Sequence, residues 1–366
     1  MDNRNIEEEG SVRFDDIQAP DFVSVEDEHK ELISQRFLEC GVDPNEVTPF
    51  VINQLALIEK FAPVHNQHSL KMIKIFQIFR NVYNESIAPK TVDASDVITI
   101  EEMKLINYLI LTHDIGKANS NDPELVTLIL TCYSHKGRID PKVNVDSGLE
   151  GIFSDSQLAV EISDVSETAT ARVSKVLDYF KRSSHPEIRL LASGQATMSD
   201  FWTRCHSILG YEALNHSAQT LADNKKLNER EKLAALFAEL HHVFEGRIPL
   251  EFNDMSDLKT FMDLYIHTRS EDAKKQVVGE PIDNSEKIAN LLSILVLLDK
   301  FEAGINREDR EAKDSDLNIR ITASLNNIQN ILNSTHIDEV SGLAKVIENM
   351  LKVYNNSEFK KLLLSE

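Results

Sequence analysis

Apolar residues recur at helical spacing through almost every segment of this chain, and the residues that would break such helices are scarce. Only 12 Gly and 10 Pro occur in 366 residues, against about 7% and 5% in an average protein. A sandwich or barrel needs a turn every few residues, so the predicted class is mainly α. Helical patterns run from Glu26, over Val51–Phe61, Pro63–Tyr83 and Thr99 up to His113, then over Asp200–Ala222, Asn228–Val243, Ser256–His267 and Ser285–Ala303. Asp43-Pro44-Asn45-Glu46 marks a break, and Thr99 followed by Glu101 and Glu102 reads as a capped helix start. Leu317, Ile321, Leu325, Ile328 and Leu332 form one further stripe, and Leu343, Ile347, Met350 and Tyr354 another, which predicts a C-terminal helical hairpin over 311–366. Residues 1–28 are acidic and weakly periodic, predicting a mobile or loosely docked arm.

Charge and cysteine usage narrow the classes of function. Sixty acidic against 39 basic side chains give a formal charge of −21. That balance opposes binding to polymeric nucleic acid, which needs basic side chains to displace counterions. A small phosphate ester remains compatible with it, because cations bound in a pocket outweigh distant surface charge locally. The longest apolar runs, such as Leu291–Leu298, are too short to cross a bilayer, and MDNRNIEEEG has no signal core. Cys40, Cys132 and Cys205 form no CxxC pair, so neither a disulfide framework nor a thiolate zinc site is expected. A cytoplasmic protein without membrane association is the expectation.

Against this background His113-Asp114-Ile115-Gly116-Lys117, after the apolar run Leu105–Thr112, stands out. An adjacent imidazole and carboxylate supply one nitrogen ligand and one oxygen ligand that can bridge two cations, and Lys117 adds a fixed positive charge nearby. His68, His206, the doublet His241-His242 and Asp299 lie in or beside other helical segments. Asp299 follows apolar positions of a helix predicted to be buried, where an ionisable group requires a partner. A lone histidine on an apolar face is more often a hydrogen-bonded core residue, and His65, His135, His185 and His216 are read so. His65 is the tempting exception, sharing a face with His68 at (i, i+3). Either His241 or His242 alone reads also as a histidine that meets only the negative end of a helix dipole, and of the two His242 is the less secure ligand. Asp299 could instead pair with Lys300 or Arg307, and Lys117 could cap its helix.

Together, His68-Ser69, LTHDIGK at 111–117, CHSILGYEAL at 205–214, LHHVFEG at 240–246 and LLDKFEAG at 297–304 resemble the HD superfamily of metal-dependent phosphohydrolases. The likeness is strongest to its HD-GYP branch, which hydrolyses cyclic dinucleotides, and covers roughly residues 50–305 without 119–199. The resemblance implies an HD-type helical core, expected over 29–310; the link 119–199 is longer than the family's usual one, which predicts an inserted helical segment that lids the pocket or binds a protein. It implies that His68, His113, Asp114 and Asp299 hold one cation and that Asp114, His206, His241 and His242 hold another. Iron or manganese suits such a nitrogen and oxygen set. A water between the cations would attack phosphorus in line, with Lys117 on a phosphate oxygen. The doublet is followed by Val-Phe-Glu-Gly-Arg-Ile-Pro, without the Gly-Tyr-Pro triplet, so the expected substrate is a phosphodiester or nucleotide in general, with a cyclic dinucleotide as one case. Val64 stands where trinuclear relatives carry Glu, which implies a binuclear site. The alternative is an HD-fold scaffold of little turnover, binding proteins through 119–199 or a second copy through the C-terminal hairpin.

Overall fold

A computed structural model describes residues 25–86, 97–118, 178, 180–182, 188–189, 198–242, 285–306, 317–334 and 342–365. Among them are ten α-helices and no strand, so the chain is mainly α. The helices are α1 (Asp27–Glu39), α2 (Pro49–Phe61), α3 (Pro63–Ser86), α4 (Ile100–Thr112), α5 (Met198–Thr220), α6 (Lys225–Leu240), α7 (Ser285–Asn306), α8 (Leu317–Ser334), α9 (Gly342–Tyr354) and α10 (Ser357–Ser365). Short 3-10 turns at Pro44–Glu46 and Ile115–Ala118 join the α1/α2 connection and follow α4. The acidic arm up to Ser24, most of the inserted segment and the helix expected over Ser256–His267 lie outside the described residues. No described helix is long and apolar enough to cross a membrane.

The helix boundaries follow local chemistry. Gly41, at φ +78°, takes the left-handed conformation that ends α1. Thr48 accepts from the Val51 amide at 3.3 Å, with Pro49 at the first helical position of α2. Thr99 and Glu102 form the predicted start of α4 as a reciprocal capping box, each side chain accepting from the other's backbone amide at 3.2 and 2.8 Å. Asn224 caps α6 through the Leu227 amide at 3.2 Å.

The chain divides into two compact units, one of Val25–Asn119 with His206–Glu366 and one of Met1–Ser24 with Ser120–Cys205. Described residues of the smaller unit are helical except for Arg182, which is in a turn, and include the exposed pair Lys181–Asp178 at 3.4 Å. In the larger unit α3 and α4 pack on each other, α2 packs on α3, α6 on α4, and α7 on α3. The C-terminal helices bury their stripes within the chain, including Ile321, Leu325, Ile328, Met350 and Tyr354. A third helix, α10, adds Phe359 to the two expected from the pattern. Phe301 stacks on Tyr354 at 4.2 Å, Tyr354 meets Phe359 at 5.0 Å, and Phe79 meets Tyr354 edge-on at 5.9 Å. These rings tie α9 and α10 to the helices that carry His68 and Asp299, and aromatic contacts of this geometry each add about 0.5–1.5 kcal/mol beyond burial.

Candidate metal centre

Four parts of the larger unit deliver side chains to one buried place. α3 carries His65 and His68; the turn after α4 carries His113, Asp114 and Lys117; α5 with the end of α6 carries His206, His241 and His242; and α7 carries Asp299 and Glu302. His113 and His241 are both helix-end residues, directly following α4 and α6. A helix end leaves carbonyls without an intrahelical donor. Each imidazole satisfies one: Nδ1–H of His113 donates to Ile110 O at 2.7 Å, and that of His241 to Ala238 O at 2.7 Å. Because a carbonyl can only accept, the proton sits on Nδ1 and each Nε2 is left with its lone pair. The helix-end role and the ligand role weighed for His241 are thus compatible.

The metal-type ligand atoms fall into three overlapping groups, each within 4.8 Å: His68, His113 and Asp299; His113, Asp114 and His241; and His206, His241 and His242. His206 Nε2 lies 3.1 Å from His241 Nε2 and 3.2 Å from His242 Nε2. Nitrogens on one cation with bonds of ~2.1 Å stand ~3.0 Å apart at right angles and ~3.4 Å apart at tetrahedral angles. The observed spacings fall between, so this donor set fits an ion. His242, the less secure ligand of the doublet, lies in the same group and is only the more exposed of the two.

The Asp114 carboxylate stands between the groups and divides its oxygens. Oδ1 is 3.3 Å from His206 Nε2 and 3.8 Å from His241 Nε2, whereas Oδ2 is 3.6 Å from His113 Nε2 and 2.5 Å from Lys117 Nζ. Asp299 Oδ1 sits 2.8 Å from His68 Nε2 and 4.0 Å from His113 Nε2. Its partners among the described residues are therefore imidazoles on other helices.

Burial and charge set opposite protonation states within this cluster. For Asp114 and Asp299 burial favours the neutral acid, but Lys117 with His113 and His206 in the first case, and His68 in the second, hold each carboxyl well below the usual range. Burial lowers His113 and His241, and takes His206 down to about 4 against the pull of Asp114. Burial also opposes a charge on His68, yet Glu302 and Asp299 outweigh it and push that imidazole up to about 10.

Two side chains of the cluster and one backbone contact escaped the sequence reading. Glu302, buried at 3% exposure, pairs with His68 Nδ1, and its signal was the Asp299-to-Glu302 spacing that puts two carboxylates on one helix face. His65 reads as a core histidine, but it stands beside the cluster, with Nδ1 2.9 Å from Lys117 Nζ and 3.6 Å from Asp114 Oδ2. The (i, i+3) spacing to His68 was its only signal. The backbone contact is between Gly116 and α5: a Cβ on Gly116 would lie 1.9 Å from His206 O and 2.3 Å from Gly210 N. Gly210 in turn faces Ala238 of α6, whose Cβ would be 3.1 Å from a Cβ added there. Of the remaining histidines, His216 meets Phe50 edge-on at 5.8 Å, while His135 and His185 lie outside the described residues.

Fold and site thus define a helical protein with buried His/Asp groups that could hold metal ions. No family model matches the chain, and no match to a curated protein or a solved structure was found.

Proposed function

We propose that this protein is a metal-dependent phosphohydrolase of the HD type, acting on a phosphodiester or a nucleotide through two divalent transition-metal ions. The observation that supports this reading best is the convergence of His68, His113, Asp114, His206, His241, His242 and Asp299, drawn from five separate motifs, into overlapping buried ligand groups with Asp114 between them. Imidazole and carboxylate donors without thiolates favour iron or manganese. His68, His113, Asp114 and Asp299 would hold one ion, and Asp114, His206, His241 and His242 the other. Bound cations supply charge to activate water and to stabilise a phosphoryl oxygen. Around them, the Nδ1 bonds of His113 and His241 fix which ring nitrogen faces the site, and Glu302 does the same for His68. Lys117 supplies a buried ammonium for a phosphate oxygen.

Protein purified without chelator should carry about two equivalents of transition metal by elemental analysis, and with Mn²⁺ or Fe²⁺ should hydrolyse bis-p-nitrophenyl phosphate. A chain that binds no metal and releases no nitrophenol would be a scaffold, and a panel of cyclic dinucleotides and nucleotides would then give no product. For an active chain the same panel identifies the substrate.

A further inference from the structure

Lys117 reaches two acceptors from different parts of the chain. Its ammonium lies 2.5 Å from Asp114 Oδ2 and 2.9 Å from His65 Nδ1. The first contact is local, three residues back along the same turn; the second crosses to α3. The two acceptors respond differently to a bound cation. A cation on Asp114 takes up carboxylate lone pairs and repels the ammonium. A neutral imidazole keeps its acceptor and carries no charge for the cation to capture.

We propose that His65 is a positioning residue: its Nδ1 accepts from Lys117 and holds the ammonium beside the metal centre when cations occupy the Asp114 carboxylate. A lysine has a long, freely rotating stem, and an ammonium without an acceptor would spread over many rotamers. His65 prevents this from a helix that also carries His68, one turn further on, so the lysine is located by the same element that locates a metal ligand. This role rests on the phosphohydrolase reading for its kinetic consequence, which is a correctly aimed donor for the phosphate.

Asn is the informative replacement, because its side-chain oxygen can accept where Nδ1 does. In the manganese-loaded full chain, His65→Ala should keep its metal content and lower kcat for bis-p-nitrophenyl phosphate about tenfold, the usual scale for a lost hydrogen bond to a charged group. His65→Asn should recover most of that loss, and His65→Ala should cost nothing further in a Lys117→Ala background. Independently of turnover, the Lys117 ammonium should give a protected 15N-correlated NMR signal in the chain with and without Zn²⁺. That signal is assigned by its disappearance in Lys117→Ala; in the Zn²⁺-loaded chain it should persist in His65→Asn and vanish in His65→Ala, whereas without metal Asp114 still holds the ammonium in both variants. Loss of metal in His65→Ala would make His65 a ligand and overturn the proposal, as would equal defects in the Ala and Asn variants or an unchanged ammonium signal in Zn²⁺-loaded His65→Ala. If the wild-type chain hydrolyses nothing, the phosphohydrolase reading falls, and the ammonium signal alone decides whether His65 positions Lys117.

Discussion

At one end of the candidate metal centre a single imidazole, His68, lies between two carboxylates, Asp299 and Glu302; at the other, His206, His241 and His242 face one another, and the first two meet one oxygen of Asp114. The ends therefore handle charge differently. The carboxylate-rich end already holds a positive charge of its own, the proton on His68 that Glu302 and Asp299 retain up to about pH 10. A cation arriving there must displace that proton, and two carboxylates then balance it. At the imidazole-rich end burial takes His206 down to about 4, and burial together with its neighbours lowers His241. A cation there displaces no proton from His206 or His241 at neutral pH and is balanced among the described residues by Asp114, which leaves the more electropositive ground of the two. On the proposed phosphohydrolase reading, an anionic ester is better received at that end.

Asp114 belongs to both ends, so its removal is the severest test of this division. Asp114→Ala should lose metal at both positions and abolish hydrolysis, beyond the roughly 10- to 100-fold that replacing an outer partner of a ligand costs. Circular dichroism should stay helical. Loss of one metal with the other retained would mean that the ends are separate sites without a shared carboxylate.

Glu302→Gln sharpens the comparison by touching only the carboxylate-rich end. It keeps the shape and removes the charge that holds His68, so affinity for one equivalent of metal should fall about 10- to 100-fold while the other equivalent is retained. Titration with Mn²⁺ followed by elemental analysis separates the two; an equal fall at both would show that Glu302 acts on the helix packing instead.

The smallest effect is on the stability of chelator-treated protein. His68 titrates above its ordinary 6.5 in the folded state, so its contribution is complete below about pH 6.5 and is lost as pH rises through about 10. His206 titrates below that value, so acidification from about 6.5 through 4 protonates the unfolded chain preferentially and also destabilises the fold. These two groups place the stability maximum near pH 6.5, with limbs of at most a few kcal/mol. Urea unfolding at pH 5, 6.5 and 9 reads it directly. Bound metal should flatten the alkaline limb, and an alkaline limb identical with and without metal would contradict the proton on His68.

The two ends also differed in how far the sequence disclosed them. The residues of the cluster were legible because each His or Asp sits within or just after a periodic helix; α3, α4 and α7 all begin within a few residues of where the pattern placed them. Glu302 was not, and His65 was singled out only by its spacing to His68. Glu302 and His65 are polar residues on helices, and their burial depends on which other helix lies across from them, information held far away along the chain. α10 was missed for a related reason, being nine residues long, too short for its period to register against the background.

The contact of Gly116 with Gly210, and of Gly210 with Ala238, has a consequence for the tolerance of the whole assembly. Side chains can trade rotamers and absorb a displacement of an ångström; two backbones in contact cannot. The turn that carries His113 and Asp114 is seated against the very stretch of α5 that presents His206, so the width of the gap between them is machined into the main chain. A methyl group at position 116 would prise the halves apart by a good part of a bond length while leaving every donor atom chemically intact. Whether two ions can share one carboxylate thus hangs on a residue that contributes no side chain at all.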